Sequence, residues 1–198
     1  ALNTGSAVLV GVVGVEDITL DASSAAGTFA NKNVGTGITV QVSGLALGGT
    51  GIKTNYSLTQ PVTTANITAR ELTIGGSFTV NNKVYDATTA AVINTNSLTI
   101  INKVGLEDVS LSAVAVFASA NAATGITVNL TGTTITGADI GNYTLSLTGA
   151  PTTTANITAK ELTVTGITAS NKVYDGTLTA ALNTGSAVLV GVVGVEDI

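Results

Sequence analysis

Residues 160–176 read KELTVTGITASNKVYDG, and a second version of this stretch, RELTIGGSFTVNNKVYDA, occupies residues 70–87. The two versions begin 90 residues apart, and each directly follows a copy of ANITA. No Gly-rich or Ser-rich linker separates ANITA from the stretch that follows it. The sequence therefore predicts a tandem array in which one unit ends and the next begins without a flexible connection.

The repeat divides the chain into three parts. Residues 1–70 are predicted to be a partial unit that lacks its first strand, residues 71–160 a complete unit, and residues 161–198 the beginning of the next. Residues 181–198 repeat residues 1–18 letter for letter, which indicates that a pair of units was duplicated as a block. Because the chain opens on Ala in mid-unit and contains no Met, we expect it to be an internal segment of a longer protein.

Composition excludes several classes of function. The net charge is −5 with no basic cluster, which argues against nucleic acid and anionic membranes as partners. The absence of Cys excludes disulfides and thiolate metal sites, and it weakly favours an exported protein. With no His either, the usual general bases and metal ligands are missing. We therefore predict no enzyme activity and no cofactor.

Alternating apolar residues predict β-strands. Ile38, Val40 and Val42 alternate with polar residues, and residues 124–130 show the same pattern. Residues 7–20 and 97–116 are each interpreted as two strands around an acidic turn, GVED at 14–17 and GLED at 105–108.

The expected fold is all-β, with tandem immunoglobulin-like sandwiches of about 90 residues joined end to end. The alternative is a β-grasp-like unit with one short helix, for which Ser23–Ala26 is the single helix-tolerant position. A β-solenoid would show a period of about 20 residues, and none is visible. Apolar residues occupy odd positions up to Ile67 and even positions from Leu72, so the buried face of the strand changes side between them. The boundary between units is therefore expected near Glu71, and likewise near Glu161.

Several motifs in fixed order, ELTVTG, NKVYDG, GVVGVED, TGITV and NYSL, resemble the YDG-type repeat domain of large bacterial surface adhesins and haemagglutinin-like proteins. The resemblance covers the whole chain. It implies an extracellular, adhesin-associated stalk repeat on the bacterial cell surface, with neighbouring repeats as its partners and no enzyme activity.

The signature itself differs between the two units. One has Tyr174, Asp175 and Gly176, whereas the other has Tyr85 and Asp86 followed by Ala87. If the glycine has positive φ, Ala87 costs about 1 kcal/mol there, and Asp then makes the local hydrogen bonds. Tyr85 and Tyr174 are predicted to plug the end of their own sandwich, with the phenol bonded to backbone.

Three kinds of candidate site remain, each with a plainer alternative. Lys83 and Lys172 are candidates for a Lys–Asn cross-link, although a lysine beside a turn commonly faces water. The acidic pairs Glu16–Asp17, Glu107–Asp108 and Glu196–Asp197 could bind calcium with help from Asp21 or Asp139, but a solvated turn is the simpler interpretation. Five asparagines in N-x-Ser/Thr patterns are glycosylation candidates, although such matches arise by chance in a Thr-rich chain. They are Asn55, Asn66, Asn129, Asn142 and Asn156.

The sequence therefore predicts a non-catalytic extension repeat of a secreted bacterial adhesin or surface fibre. One alternative is a self-assembling filament subunit, in which the partial unit 1–70 accepts the strand 160–170 of a neighbouring copy. A second alternative is a module that binds glycan or host protein through loops 48–55 and 137–142. The Thr-rich faces of the strands are explained by the high β-propensity of threonine and by its contribution to solubility.

Overall fold

The computed structural model describes residues 2–196, and its chain divides into two compact units. Unit 1 comprises Ala1–Arg70 with Asp139–Thr144, and unit 2 comprises Glu71–Ala138 with Leu145–Ile198. Residues 161–198, predicted as the beginning of a third repeat, are thus grouped with unit 2. The acidic pair Glu196–Asp197 is described at Glu196, while Asp197 lies outside the described residues.

The described chain is all-β with several sheets, as predicted. Its helical elements are two 3₁₀ turns at Lys53–Asn55 and Ile140–Asn142, and no helix in the described part is long or apolar enough to cross a bilayer. Ser23–Ala26 is not helical, because Ala26 begins a strand that pairs along its length with β3.

Residues 2–69 contain five strands: β1 (Thr19–Asp21), β2 (Ala26–Phe29), β3 (Gly35–Ser43), β4 (Ala46–Gly48) and β5 (Val62–Ile67). They form a three-stranded antiparallel sheet, β2-β3-β5, and a two-stranded sheet, β1-β4. The predicted alternation along β3 is confirmed, since Ile38, Val40 and Val42 are buried while the intervening residues are exposed.

The remaining strands are β6 (Arg70–Val80), β7 (Lys83–Val84), β8 (Ala90–Ala91), β9 (Ile93–Ile101), β10 (Ser110–Ser112), β11 (Ala115–Phe117), β12 (Ala123–Asn129), β13 (Thr134–Thr136), β14 (Tyr143–Leu145), β15 (Thr153–Thr158), β16 (Thr163–Thr165), β17 (Thr168–Ala169), β18 (Leu182–Asn183) and β19 (Val188–Val190). They form a five-stranded sheet, β7-β15-β12-β11-β8, a three-stranded sheet, β14-β6-β9, and the two-stranded sheets β10-β13, β16-β19 and β17-β18.

The core of unit 2 joins its two larger sheets. Ile74 and Phe78 come from β6, and Phe117, Val128 and Ile157 come from the five-stranded sheet. Leu72, also on β6, is fully buried, while Glu71 beside it is exposed. The apolar residues of β6 therefore face inward from the position at which the sequence predicts the unit to begin.

The prediction of two strands around each acidic turn holds in one copy and is wrong in another. In residues 97–116 the turn at Gly105–Leu106 separates β9 from β10. In residues 7–20 only β1 forms, after the turn, and residues 2–13 contain no strand. Residues 182–183 and 188–190 have the same sequence as residues 2–3 and 8–10, yet they form β18 and β19 by pairing with β17 and β16. The difference therefore lies in the neighbouring strand rather than in the local sequence.

Candidate functional site: the KVYD turn and the strand pair that closes the repeat

The segment Lys83–Ala90, here called the KVYD turn, is organised around one ammonium group. Lys83 Nζ donates to the Asp86 carboxylate at 2.7 Å and to the Thr88 carbonyl at 2.7 Å. It also lies 2.9 Å from Thr88 Oγ1 and 3.2 Å from the Ala90 carbonyl. Since an ammonium has three N–H donors, these four acceptors are enough to satisfy it.

Residues 172–177 repeat this geometry in the second copy of the motif. Lys172 Nζ donates to Asp175 at 2.9 Å, to the Thr177 carbonyl at 2.7 Å and to Thr177 Oγ1 at 3.0 Å. The two copies differ in burial, because the Lys83 side chain is 17% exposed and that of Lys172 is 38% exposed. Lys83 also lies over the ring of Phe117, 5.5 Å from its centroid. The turn is therefore a local structure that forms in both places and is packed more deeply in the first.

The aspartate closes the turn on its other side. Asp86 Oδ1 accepts hydrogen bonds from the amide of Thr88 at 2.9 Å and from its hydroxyl at 2.8 Å. The hydrogen bond from Lys83, followed by those from Thr88, lowers the pKa of Asp86 from 3.8 to about 2. The pKa of Asp175 is lowered for the same reasons, with the hydrogen bond from Lys172 as the largest cause. Asp therefore makes the local hydrogen bonds, as expected.

The residue after Asp has the left-handed conformation in both turns. Gly176 has φ of 69° and Ala87 has φ of 62°. The backbone geometry of the turn is thus kept when glycine is replaced by alanine, at a cost of about 1 kcal/mol or more for the Cβ.

The predicted Lys–Asn cross-link finds no support in these contacts. A cross-link requires a neutral amine beside an asparagine amide, whereas both ammonium groups are paired with a carboxylate and with carbonyl oxygens. Hydrogen bonds of this kind are typical of a lysine ammonium in an ion pair. The geometry therefore favours an ion pair at both lysines.

The strand β7 joins the beginning of the repeat to its end. It pairs in parallel with β15, with Lys83 opposite Ile157 and Val84 opposite Thr158. The pair continues beyond β7, since the amide of Tyr85 donates to the Thr158 carbonyl at 2.8 Å. On the other side of the pair, Asn82 Oδ1 accepts from the amide of Asn156 at 2.8 Å. The NKVYD motif thus closes the sheet against the ANITA motif of the same unit.

The two signature tyrosines lie in different environments. Tyr85 is partly buried and packs against the core of unit 2, and its hydroxyl donates to the Glu196 carboxylate, whereas the sequence predicted a backbone partner. This hydrogen bond is the largest cause that raises the pKa of Tyr85. Tyr174 is 93% exposed, so the prediction that it plugs a sandwich is wrong for this copy. Its counterpart in unit 2 is covered because β15 and residues 191–196 lie beside it.

The acidic turns hold neighbouring glycine-rich turns. The Asp17 carboxylate accepts from the hydroxyl of Thr50 at 2.7 Å and from its amide at 3.0 Å, and the hydroxyl is the largest cause that lowers the pKa of Asp17. The Asp108 carboxylate accepts from the amide of Ala138 at 2.9 Å. Glu16 accepts from the hydroxyl of Tyr56 at 2.6 Å. Among the residues that the structure describes, no group of three acidic or His/Cys side chains could hold a metal ion.

Two of the five glycosylation candidates hold a β-bulge. Asn66 Oδ1 accepts from the amide of Gly37 at 2.8 Å, and Asn156 Oδ1 accepts from the amide of Gly125 at 2.8 Å. Each bond lies where the register between the paired strands shifts. An N-linked sugar would attach to the side-chain nitrogen Nδ2, so the two bonds through Oδ1 neither require it nor exclude it. Asn66 and Asn156 therefore have a structural use that the N-x-Ser/Thr pattern does not reveal.

The other three candidates lie elsewhere. Asn55 is exposed at the end of a 3₁₀ turn, and Asn129 is half-buried at the end of β12. Asn142 ends the other 3₁₀ turn, and within unit 1 its Oδ1 accepts from the amide of Val34 at 2.9 Å. Of the five, Asn55 and Asn66 are exposed, whereas the other three are half-buried.

The model of the YDG domain matches residues 1–65, 68–155 and 158–198. The chain belongs to the YDG domain family. No curated protein and no solved structure matches it. The junctions between the three YDG matches, at residues 66–67 and 156–157, fall within the ANITA motifs. The complete match, residues 68–155, contains β6 and β7 and ends within β15, the strand with which β7 pairs.

Sequence reasoning missed two features of the YDG repeat. The first is the Lys–Asp–Thr network, although K-V-Y-D-x-T occurs at the same spacing in both copies. The second is the acceptor role of Asn82, which pairs with a residue 74 positions away. The first could have been found from the repeated spacing, whereas the second needs the strand pairing.

Proposed function

We propose that this chain is part of the extension region of a secreted bacterial adhesin or surface fibre, built from tandem immunoglobulin-like sandwiches, and that it bears load rather than catalyses a reaction. Membership of the YDG family and the linkerless repeat support this proposal. Among the described residues, Asp17, Asp86 and Asp175, whose pKa values are lowered, hold turns together. Cofactors have no part in the proposed role.

The parallel pair β7–β15 is the observation that carries the proposal. In a chain under tension, β6 is loaded first, because it lies between the start of the repeat and β7. Once β6 has detached, β7 is pulled toward the start of the repeat and β15 toward its end. Because the two strands are parallel, this force is directed along them in opposite senses, and it loads all their hydrogen bonds together. A peeling geometry would break the bonds one at a time. We therefore expect this pair to resist extension more than a pair whose bonds break one at a time.

Single-molecule stretching of the whole chain, attached through its two ends, tests this proposal. We expect a distinct rupture event for unit 2, and we expect Asn82→Ala to lower the rupture force by removing the acceptor of the Asn156 amide. The matched control is Asn171→Ala, which changes the same motif in the copy where residues 171–176 form no strand. Extension without a rupture event, or an equal effect of both variants, would count against a load-bearing role.

The proposed location needs its own test. An antibody raised against this chain should label the surface of intact cells of the source organism. Labelling that requires permeabilised cells would refute the extracellular assignment and leave the mechanical result standing.

A further inference from the structure

A hydrogen bond joins two consecutive YDG repeats within unit 2. The Tyr85 hydroxyl donates to the Glu196 carboxylate, although the two residues are 111 positions apart. Tyr85 belongs to the YDG match at residues 68–155, and Glu196 belongs to the match at residues 158–198. Both residues lie in the same compact unit. The bond therefore fastens one repeat to the next at a junction that has no linker.

A cavity of about 300 Å³ lies beside this bond, and both repeats line it. Tyr85 and residues 121–122 contribute from the first repeat, whereas residues 191–193 and Glu196 contribute from the second. Tyr85 and residues 191–193 are half-buried. Val195, on the same turn as Glu196, is fully exposed. The turn of the second repeat thus has one side on the cavity wall and another side in water.

The phenol of Tyr85 is held in place from its own repeat. Its backbone amide donates to the Thr158 carbonyl at 2.8 Å, next to the parallel pair of β7 and β15. Its ring packs against the core of unit 2. Because the backbone and the ring are both anchored, the hydroxyl group is fixed in position before it meets the turn of the second repeat. Contacts that need little ordering cost less conformational entropy when they form.

The acidic turn occurs in two chemical forms. It reads GVVGVE at residues 191–196 and NKVGLE at residues 102–107. Gly191 and Asn102 both have positive φ, 105° and 71°, so the backbone of the turn begins alike in the two forms. The next position is Val192 in one form and Lys103 in the other, and Lys103 Nζ lies 3.5 Å from the Val109 carbonyl of its own repeat. The two forms therefore differ in the side chains that they present.

Resting on the proposed structural role, we infer that the surface around Tyr85 is a docking site for the following repeat, specific for an acidic turn of the GVVGVE form. Glu196 supplies the acceptor for the phenol, and Val192 supplies part of the apolar wall. An ammonium in place of Val192 would bring a charge into this wall and compete with Tyr85 for the carboxylate.

Such a preference gives the repeats a fixed order along the chain. The NKVGLE form keeps the glutamate, at Glu107, but it has Lys103 where the GVVGVE form has Val192. A repeat with the GVVGVE form is therefore accepted after residues 71–160, whereas a second repeat with the NKVGLE form is disfavoured there. The same alternation is visible in the sequence, because residues 181–198 repeat residues 1–18 with one NKVGLE unit between them.

An introduced thiol can measure this docking, because the chain contains no Cys. Val193→Cys places the thiol on the cavity wall, at a half-buried position. Val195→Cys places it on the exposed side of the same turn and gives the rate for an open position. The measurement is the rate at which each full-length chain reacts with N-ethylmaleimide. A turn that leaves the cavity wall more often reacts faster at position 193.

In the Val193→Cys chain, Tyr85→Phe should raise the labelling rate by about fivefold, since it removes the hydroxyl and keeps the packed ring. Glu196→Ala should have a similar effect, and the two changes together should give no more than either alone, because they remove the same bond. The matched control is Tyr174→Phe, whose ring is 93% exposed and which should leave the rate unchanged.

Val192→Lys tests the specificity, and Val195→Lys is its matched control. Both put the same charge on the same turn, but Val192 lines the cavity and Val195 does not. We expect Val192→Lys to speed labelling at position 193 and Val195→Lys to leave it unchanged. Unchanged labelling in Tyr85→Phe, multiplied effects in the double variant, or equal effects of the two lysines would overturn the inference.

The labelling and stretching experiments can fail separately. Stretching measures rupture of the β7 and β15 pair inside one repeat, whereas labelling measures a contact between two repeats. Loss of the rupture event with labelling as expected would refute the load-bearing role and leave the docking site. The opposite pair of results would refute the docking site and leave the load-bearing role.

Discussion

Replacing Lys83 by Met is expected to destabilise unit 2 by about 2 kcal/mol. Hydrogen bonds to charged groups contribute roughly 1.5 to 3 kcal/mol, and Lys83 makes several with only 17% of its side chain exposed. Its position over Phe117 adds about 0.5 to 1 kcal/mol. Because Asp86 is partly exposed, solvent screens its ion pair with Lys83, and this reduces the total. Met preserves most of the apolar stem, so the substitution isolates the loss of the ammonium group.

Lys172→Met is the matched control for this prediction. It removes the same three kinds of contact from a side chain that is 38% exposed, so the expected cost is below about 1 kcal/mol. Urea unfolding followed by circular dichroism measures the midpoint and the slope. Hydrogen exchange at the Tyr85 amide, which is bonded to Thr158, reports the local effect. Equal costs for the two variants would show that burial and the aromatic ring contribute nothing, and the reasoning would fail.

Four further predictions follow from the same contacts. Ala87→Gly should raise the urea midpoint, because the left-handed strain that it removes, about 1 to 2 kcal/mol, exceeds the unfolded-state entropy that it adds. Gly176→Ala should lower the midpoint, since its Cβ would lie in open space but at positive φ. Because the pKa of Asp86 is lowered to about 2, stability present above about pH 4 should be lost as the pH falls toward 2, and Asp86→Asn should flatten that profile in acid titration. Phe117→Ala should lower the free energy of unfolding by about 3 to 5 kcal/mol, and Phe29→Ala by clearly less, since Phe29 is 39% exposed. Equal losses in urea unfolding would contradict the packing described for the two residues. Intact-mass spectrometry should give the mass of the sequence, whereas loss of one ammonia would reveal a Lys–Asn cross-link.

The fold was predictable where one sheet face is buried. Period-two alternation identified β3 and β12, because the side chains of a strand point to opposite faces in turn. Residues 2–10 show the limit of this method. They contain no strand, although the same sequence forms β18 and β19 farther along the chain. A strand needs a neighbour, and the presence of that neighbour cannot be deduced from the local pattern.

The candidate site was predictable only in its local part. The aspartate of the KVYD turn and the left-handed residue after it follow from turn chemistry within a few residues. The partners of Tyr85 and Asn82 are 111 and 74 residues away, so they depend on how the sheets assemble. The bulge contacts of Asn66 and Asn156 were partly predictable, because ANIT and TGIT recur together in both units.

The pairing of β7 with β15 also determines when a repeat can fold. Asn82 and Asn156 are 74 residues apart, so a chain that emerges from a ribosome or a narrow pore presents one partner long before the other. Until the second partner arrives, the sheet is not closed and the chain remains extensible. Contacts of such long range also slow folding. The sheet of such a repeat is therefore completed only after its last strand has emerged.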